Sequence, residues 1–174
     1  MHRPLVQAFS VKVRTLQGHI VKGEFGEPNR HPRPRREVQN LIHRTFSAPR
    51  ISPIRPGEII EYQGTHFLLL DQHDLVGMKR FLAVQCNEQH DLTRMMRQVN
   101  PVTTMEESNF PQIIASQIPV VVEPLRWSQE YRVEHDIYRI LSGHDLRDED
   151  ILGPYQILRR ADLLGATVVE ATRR

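Results

Sequence analysis

Pro56-Gly57-Glu58-Ile59-Ile60-Glu61-Tyr62-Gln63-Gly64-Thr65-His66-Phe67-Leu68-Leu69-Leu70 reads as a turn, a strand, a two-residue turn and a second strand. Pro56-Gly57 breaks the chain, and the β-branched and aromatic residues on either side of Gln63-Gly64 suit a pleated, half-buried surface. Residues 80–86 supply a third strand. Working outward, residues 5–25 alternate as two short strands, with Val11 and Val13 opposed to Lys12 and Arg14 around a Gln17-Gly18 turn. Strand signals resume at Ile113–Ile114, Val120–Glu123, Tyr131–Val133 and Ile137–Leu141. Two stretches carry a helical spacing instead. Val38, Leu41, Ile42 and Phe46 share a face of a short helix over 37–46, and Leu92, Met95, Met96 and Val99 give a moderate helical pattern over 88–99. Residues 48–57 read as a Pro-rich spacer, and 100–111 as a long loop or an extended hairpin tip.

A shift of 88 residues lays Phe67–Gly77 over Tyr155–Gly165. Aromatic meets aromatic, Leu70 meets Leu158, and Asp-Leu-aliphatic-Gly meets itself without a gap. Upstream, Glu58-Ile59-Ile60 resembles Asp150-Ile151-Leu152 across a turn of different length. A three-strand meander cannot bury its apolar face alone, so pairing two copies makes physical sense. The expected class is mainly β, with SH3-like small barrels built from a duplicated meander, either packed together or closing one larger barrel. Residues 1–55 read as N-terminal strands and an extended basic Pro/Arg arm. Residues 56–174 read as the barrel body, with related meanders at about 56–86 and 146–171.

The chain has 174 residues, 39% hydrophobic and 25% charged. That is too apolar and too mixed in charge for a disordered chain, and no run approaches the ~18 apolar residues of a membrane helix. The net charge of +2 hides an asymmetry: residues 1–55 hold 11 Lys/Arg against 3 Asp/Glu, and 56–174 hold 12 against 18. Such a division favours contact between copies, or with nucleic acid. The bland alternative is an arm folded onto its own acidic body.

His precedes Asp four times, at His73-Asp74, His90-Asp91, His135-Asp136 and His144-Asp145. The pairs sit on strands or turns rather than long helices, and strand neighbours point to opposite sides, so turn chemistry outweighs a metal-dependent hydrolase. The lone Cys86 reads as an inert strand thiol. No phosphate loop or nucleophile elbow occurs. The expectation is no enzyme, no cofactor and no metal. Asp145, Asp148, Glu149 and Asp150 form an acidic loop, either solvated or an acceptor for a neighbour's arginines. Trp127 is a candidate interface anchor, with packing over its own barrel as the alternative. Arg30, Arg33, Arg35 and Arg36 lie on a Pro-rich extended segment without interleaved aromatics, which suits docking or passive DNA lining better than base reading.

The run Arg55–Phe67, with Tyr131-Arg132-Val133 and Ala161–Glu170, resembles small β-barrel neck proteins of tailed bacteriophages, the head-closure or stopper proteins and related head-to-tail connectors. The resemblance spans about two-thirds of the chain, on loose patterns of turns and aliphatics. It implies a virion protein made in the host cytoplasm, forming a ring with its own copies. It also implies contact with portal or adaptor proteins, with tail-terminator or tail-tube proteins, and non-specifically with packaged double-stranded DNA, but with no membrane. In that setting Arg30, Arg33, Arg35 and Arg36 would dock on a neighbour or line the channel. The long basic arm and the duplication depart from the simplest members. The rival expectation is an SH3-like nucleic-acid-binding module using the basic arm.

Overall fold

A computed structural model describes residues 11–27, 41–99, 106–125, 137–163 and 165–174. Among them there is no helix. The chain divides into two compact units, Met1–Gln85 and Cys86–Arg174, and each contains one closed six-stranded antiparallel barrel. The expected boundary near residue 55 therefore moves to 85/86. The reason is closure: the early strands complete the same barrel as the Pro56–Leu70 hairpin, while residues 28–40 of the expected basic arm lie outside the described residues.

Barrel 1 comprises β1 (Val11–Thr15), β2 (Ile20–Phe25), β3 (His43–Pro49), β4 (Ile59–Tyr62), β5 (Thr65–Leu75) and β6 (Met78–Gln85). Its strand order is β1-β2-β3-β6-β5-β4, closed by β1 against β4. Barrel 2 comprises β7 (Glu88–Val99), β8 (Glu106–Pro124), β9 (Ile137–Ser142), β10 (Ile151–Leu152), β11 (Tyr155–Leu163) and β12 (Ala166–Arg173). Read from β7, its order is β7-β8-β9-β12-β11-β10. This is the barrel 1 order with every strand number raised by six.

The duplication extends to register. Leu69 pairs with Ala83 and Ile157 with Ala171, 88 residues apart, and each long hairpin then takes up an extra residue on its first strand. The turn before β4 is matched by the turn before β10. Gly57 N donates to Leu69 O at 2.7 Å and Leu69 N to Glu58 O at 2.9 Å. Glu149 N donates to Ile157 O at 3.1 Å and Ile157 N to Asp150 O at 2.9 Å. The two cores align position by position: Ile54 with Leu146, Ile60 with Leu152, Phe67 with Tyr155, Leu69 with Ile157, Phe81 with Val169 and Ala83 with Ala171. Barrel 1 fills its interior with aromatics, Phe25 lying about 5 Å from Phe46, Tyr62 and Phe67. Gly23 is the space that admits Phe46, because a Cβ there would collide with the ring.

Both helical expectations give way to strands. Residues 43–46 open β3; of the rest of that expected helix, 37–40 lie outside the described residues and 41–42 precede the strand. Residues 88–99 are β7 in full. The expected loop at 100–111 is the extended hairpin alternative where described, since β8 already begins at Glu106. Ile113–Ile114 and Val120–Glu123 are parts of that one strand. The strand expected at Tyr131–Val133 lies outside the described residues. Cys86 falls between β6 and β7 and is half-buried, not within a strand.

The matched turns generate a prediction. Gly57 has φ +87° and its counterpart Glu149 has φ +70°, a conformation that costs a side-chain-bearing residue about 1 kcal/mol. Glu149→Gly should stabilise barrel 2 by about 0.5–1 kcal/mol, and Gly57→Glu should destabilise barrel 1 by about as much. Denaturant unfolding of the full chain reads both.

Candidate interaction surface

The β7–β8 hairpin is where the two barrels differ most. In barrel 1 the corresponding β1–β2 hairpin turns just past the closing pair, with Thr15 N donating to His19 O and Gly18 N to Thr15 O. In barrel 2, closure is made by Leu92 and Thr93 against Leu152 and Ile151, yet β7 and β8 stay paired from Met95↔Pro111 out to Val99↔Glu106. Strand β9 covers β8 only over Val120–Pro124. Residues 94–99 and 106–114 are therefore a two-stranded ribbon leaving the barrel.

Arg94 fixes the root of this ribbon. Its Nε donates to Asp150 Oδ1 and its Nη2 to Asp150 Oδ2, both at 2.7 Å, and Nη2 also reaches Asp145 O at 3.1 Å. Asp150 is 2% exposed and accepts a further bond from Arg147 N at 2.9 Å. A forked, buried pair of this kind holds both direction and register. The Asp150 bond holds the Arg94 guanidinium above its already high ordinary value.

On either side of Arg94 the ribbon carries apolar residues on both faces. Cross-strand partners share a face and successive residues alternate. Met96 and Phe110 thus face one way, while Met95 with Pro111 and Thr93 with Ile113 face the other. Met95, Met96, Phe110, Ile113 and Ile114 are all exposed, Ile113 to 59% and Phe110 to 44%. A two-stranded ribbon has little independent stability in water, so apolar residues on both faces mark a surface suited to a partner. The sequence held one signal for it: Met95-Met96 and Phe110 bracket a polar tip at matching distances.

Two of the four acidic-loop residues are engaged within the chain. Asp145 takes Arg160 and Arg147, Arg160 foremost holding its carboxyl below the usual range. Asp150 is consumed by Arg94, and Asp148 and Glu149 are exposed. Arg30, Arg33, Arg35, Arg36 and Trp127 lie outside the described residues. In each described His-Asp pair the two side chains go separate ways. His73 meets Asp71 at 3.4 Å while Asp74 accepts from Gln72, and His90 meets Glu88 while Asp91 accepts from Gln117 N. His144, with its pKa lowered by burial, stands beside an Asp145 that faces the arginines. His135-Asp136 lies outside the described residues.

At the other end of β7, Glu88, His90 and Tyr155 make a second polar group that sequence reading missed. His90 Nε2 lies 2.6 Å from Glu88 Oε2, and Tyr155 Oη donates to the same oxygen at 3.1 Å. The Tyr138 and His90 rings pack edge-on against Tyr155 at 5.1 and 5.5 Å. Burial, then the Glu88 carboxylate, pushes the Tyr155 phenol up to about 12. Tyr155 is thus a protonated donor at ordinary pH, a hydrogen-bonded seal on the barrel end in the position that Phe67 fills in barrel 1.

Net charge divides with the barrels. Residues 1–85 carry 13 Lys/Arg against 7 Asp/Glu, or +6, and residues 86–174 carry 10 against 14, or −4. No helix among the described residues is long and apolar enough to cross a membrane. The chain matches no family model, no curated protein and no solved structure.

Two outcomes are expected. Arg94→Met leaves a buried carboxylate without its forked partner and should cost barrel 2 about 3 kcal/mol in denaturant unfolding. A phenol whose pKa is raised on folding contributes stability fully below its unfolded value of 10.0, and that contribution is lost as pH rises toward about 12. Between pH 9 and pH 11.5 (about those values) the wild type should lose more stability than Tyr155→Phe, as followed by thermal unfolding.

Proposed function

We propose that this chain is a structural ring subunit of the head-to-tail neck of a tailed phage, closing the head, retaining or guiding DNA and offering the tail a docking surface. The observation that carries the reading is the pairing, in one chain, of a basic barrel unit with an acidic one that bears an uncovered apolar ribbon. Self-complementary but non-identical faces are what a heterologous, ring-closing contact requires. The resemblance of Arg55–Phe67 and Ala161–Glu170 to small-barrel neck proteins gives the assembly its setting. Closed barrels suit it physically, because they carry loops and arms on a body without free sheet edges.

The partners in this reading are further copies, a portal or adaptor ring on one side and a tail-terminator or tail-tube protein on the other. Packaged DNA meets it through phosphate contact alone. Arg30, Arg33, Arg35 and Arg36 are the residues assigned to a neighbour or to the channel wall. Reversal of all four to Glu should leave the monomer folded by circular dichroism. It should also abolish ring or particle formation, read by solution mass and negative-stain imaging after mixing with portal and tail components. Normal assembly by that variant contradicts the assignment. A wild-type chain that ignores those components, yet binds free oligonucleotides tightly with a steep salt dependence, moves the function to the nucleic-acid module.

A further inference from the structure

We propose that the β7–β8 ribbon of one copy docks on the apolar end of barrel 1 in the next copy, at Ile51, Leu75 and Val76. The inference rests on the self-assembly reading above and names its contact. On the receiving side, Leu75 and Val76 form the tip of the β5–β6 hairpin, and Arg50 N donates to Gly77 O at 3.1 Å, bringing Ile51 to the same end. Ile51 is 95% exposed and Val76 fully so. An isoleucine and a valine held in water on a hydrogen-bonded, ordered turn stabilise nothing in the monomer, since burial is what makes such side chains favourable.

On the inserting side, the ribbon is surplus to the barrel. Barrel 1 closes the same six-strand order with a hairpin that ends within a few residues of its seam, so closure does not explain the ribbon's length. Its two apolar faces suit insertion against a second surface, with Arg94 and Asp150 holding its root rigid. Charge selects the occupant. The ribbon belongs to the −4 unit and the receiving end to the +6 unit, with exposed Arg50 adjoining Ile51. A second copy of this chain supplies both the apolar surface and a unit of opposite net charge. Because the two faces differ, the contact runs head to tail and closes a ring or propagates.

The test uses two double variants of the full chain: Phe110→Glu with Ile113→Glu on the ribbon, and Ile51→Glu with Val76→Glu on barrel 1. All four positions are exposed, and unchanged thermal unfolding verifies that each variant folds. Solution mass is then followed against concentration by sedimentation. The wild type should associate, each double variant alone should associate at least about 30-fold more weakly, and a one-to-one mixture should stop at a dimer. That dimer is the signature, since each variant retains the face its partner lost. A wild type that stays a single chain, a double variant that assembles like wild type, or a mixture that stays monomeric overturns the contact. Association that survives both double variants removes this interface while leaving the neck-ring reading in place, which fails separately if the wild type does not join portal or tail components.

Discussion

Everything in each unit depends on one short seam. Barrel 1 is closed by two register pairs, Arg14 with Glu61 and Thr15 with Ile60, extended by the bond from Leu16 N to Ile59 O. Barrel 2 is closed by Thr93 with Ile151 and Leu92 with Leu152, where β10 is only two residues long. Without these pairs, each sheet would present two free edges, the usual template for unwanted strand pairing. The weaker-looking seam is the one reinforced by Arg94 on buried Asp150. A carboxylate that deep tolerates its burial because the guanidinium fork and the Arg147 amide satisfy it together.

The same seam separates what the duplicated barrels share from where they diverge. Strand order, the bulge after Leu70 and Ile157, the turn bonds before β4 and β10, and six aligned core positions are common to both. Divergence lies in what surrounds that frame. Barrel 1 holds its aromatic core around Phe25, whereas barrel 2 brings a tyrosine and its carboxylate partner to the place of Phe67. The Arg55-Pro56-Gly57-Glu58 turn becomes Arg147-Asp148-Glu149-Asp150, accepting a strained Glu149 in exchange for an acidic loop that clamps Arg94. The largest divergence is the ribbon, so the assembly reading concentrates there.

The fold was legible wherever turn chemistry and alternation agreed. Pro56-Gly57 and Gln63-Gly64 bracket strands where expected, and the Asp-Leu-aliphatic-Gly repeat marks a hairpin tip in barrel 1 at Leu75–Met78. Misreadings have physical causes. Leu92, Met95, Met96 and Val99 mimic a helical stripe because β7 leaves its barrel between Leu92 and Met95. Beyond that point, adjacent methionines sit on opposite faces of a ribbon that is apolar on both. In β3, buried Phe46, Ser47 and Ala48 run consecutively, so the period of two is lost. The Arg94–Asp150 pair was invisible because 56 residues separate its members and only barrel closure brings them together. The same holds for Glu88 and Tyr155.

The account thus makes the ribbon dispensable for the barrel and necessary for association. Shortening it towards the length of the β1–β2 hairpin, by replacing residues 96–110 with a two-residue Asn-Gly turn between the paired Met95 and Pro111, removes Met96 and Phe110 and tests both halves in one molecule. Unfolding and solution mass of the shortened full chain are the readouts. The predicted result is cooperative unfolding close to that of the wild type, with self-association lost. A shortened chain that associates as the wild type does, or in which barrel 2 no longer folds, contradicts the account.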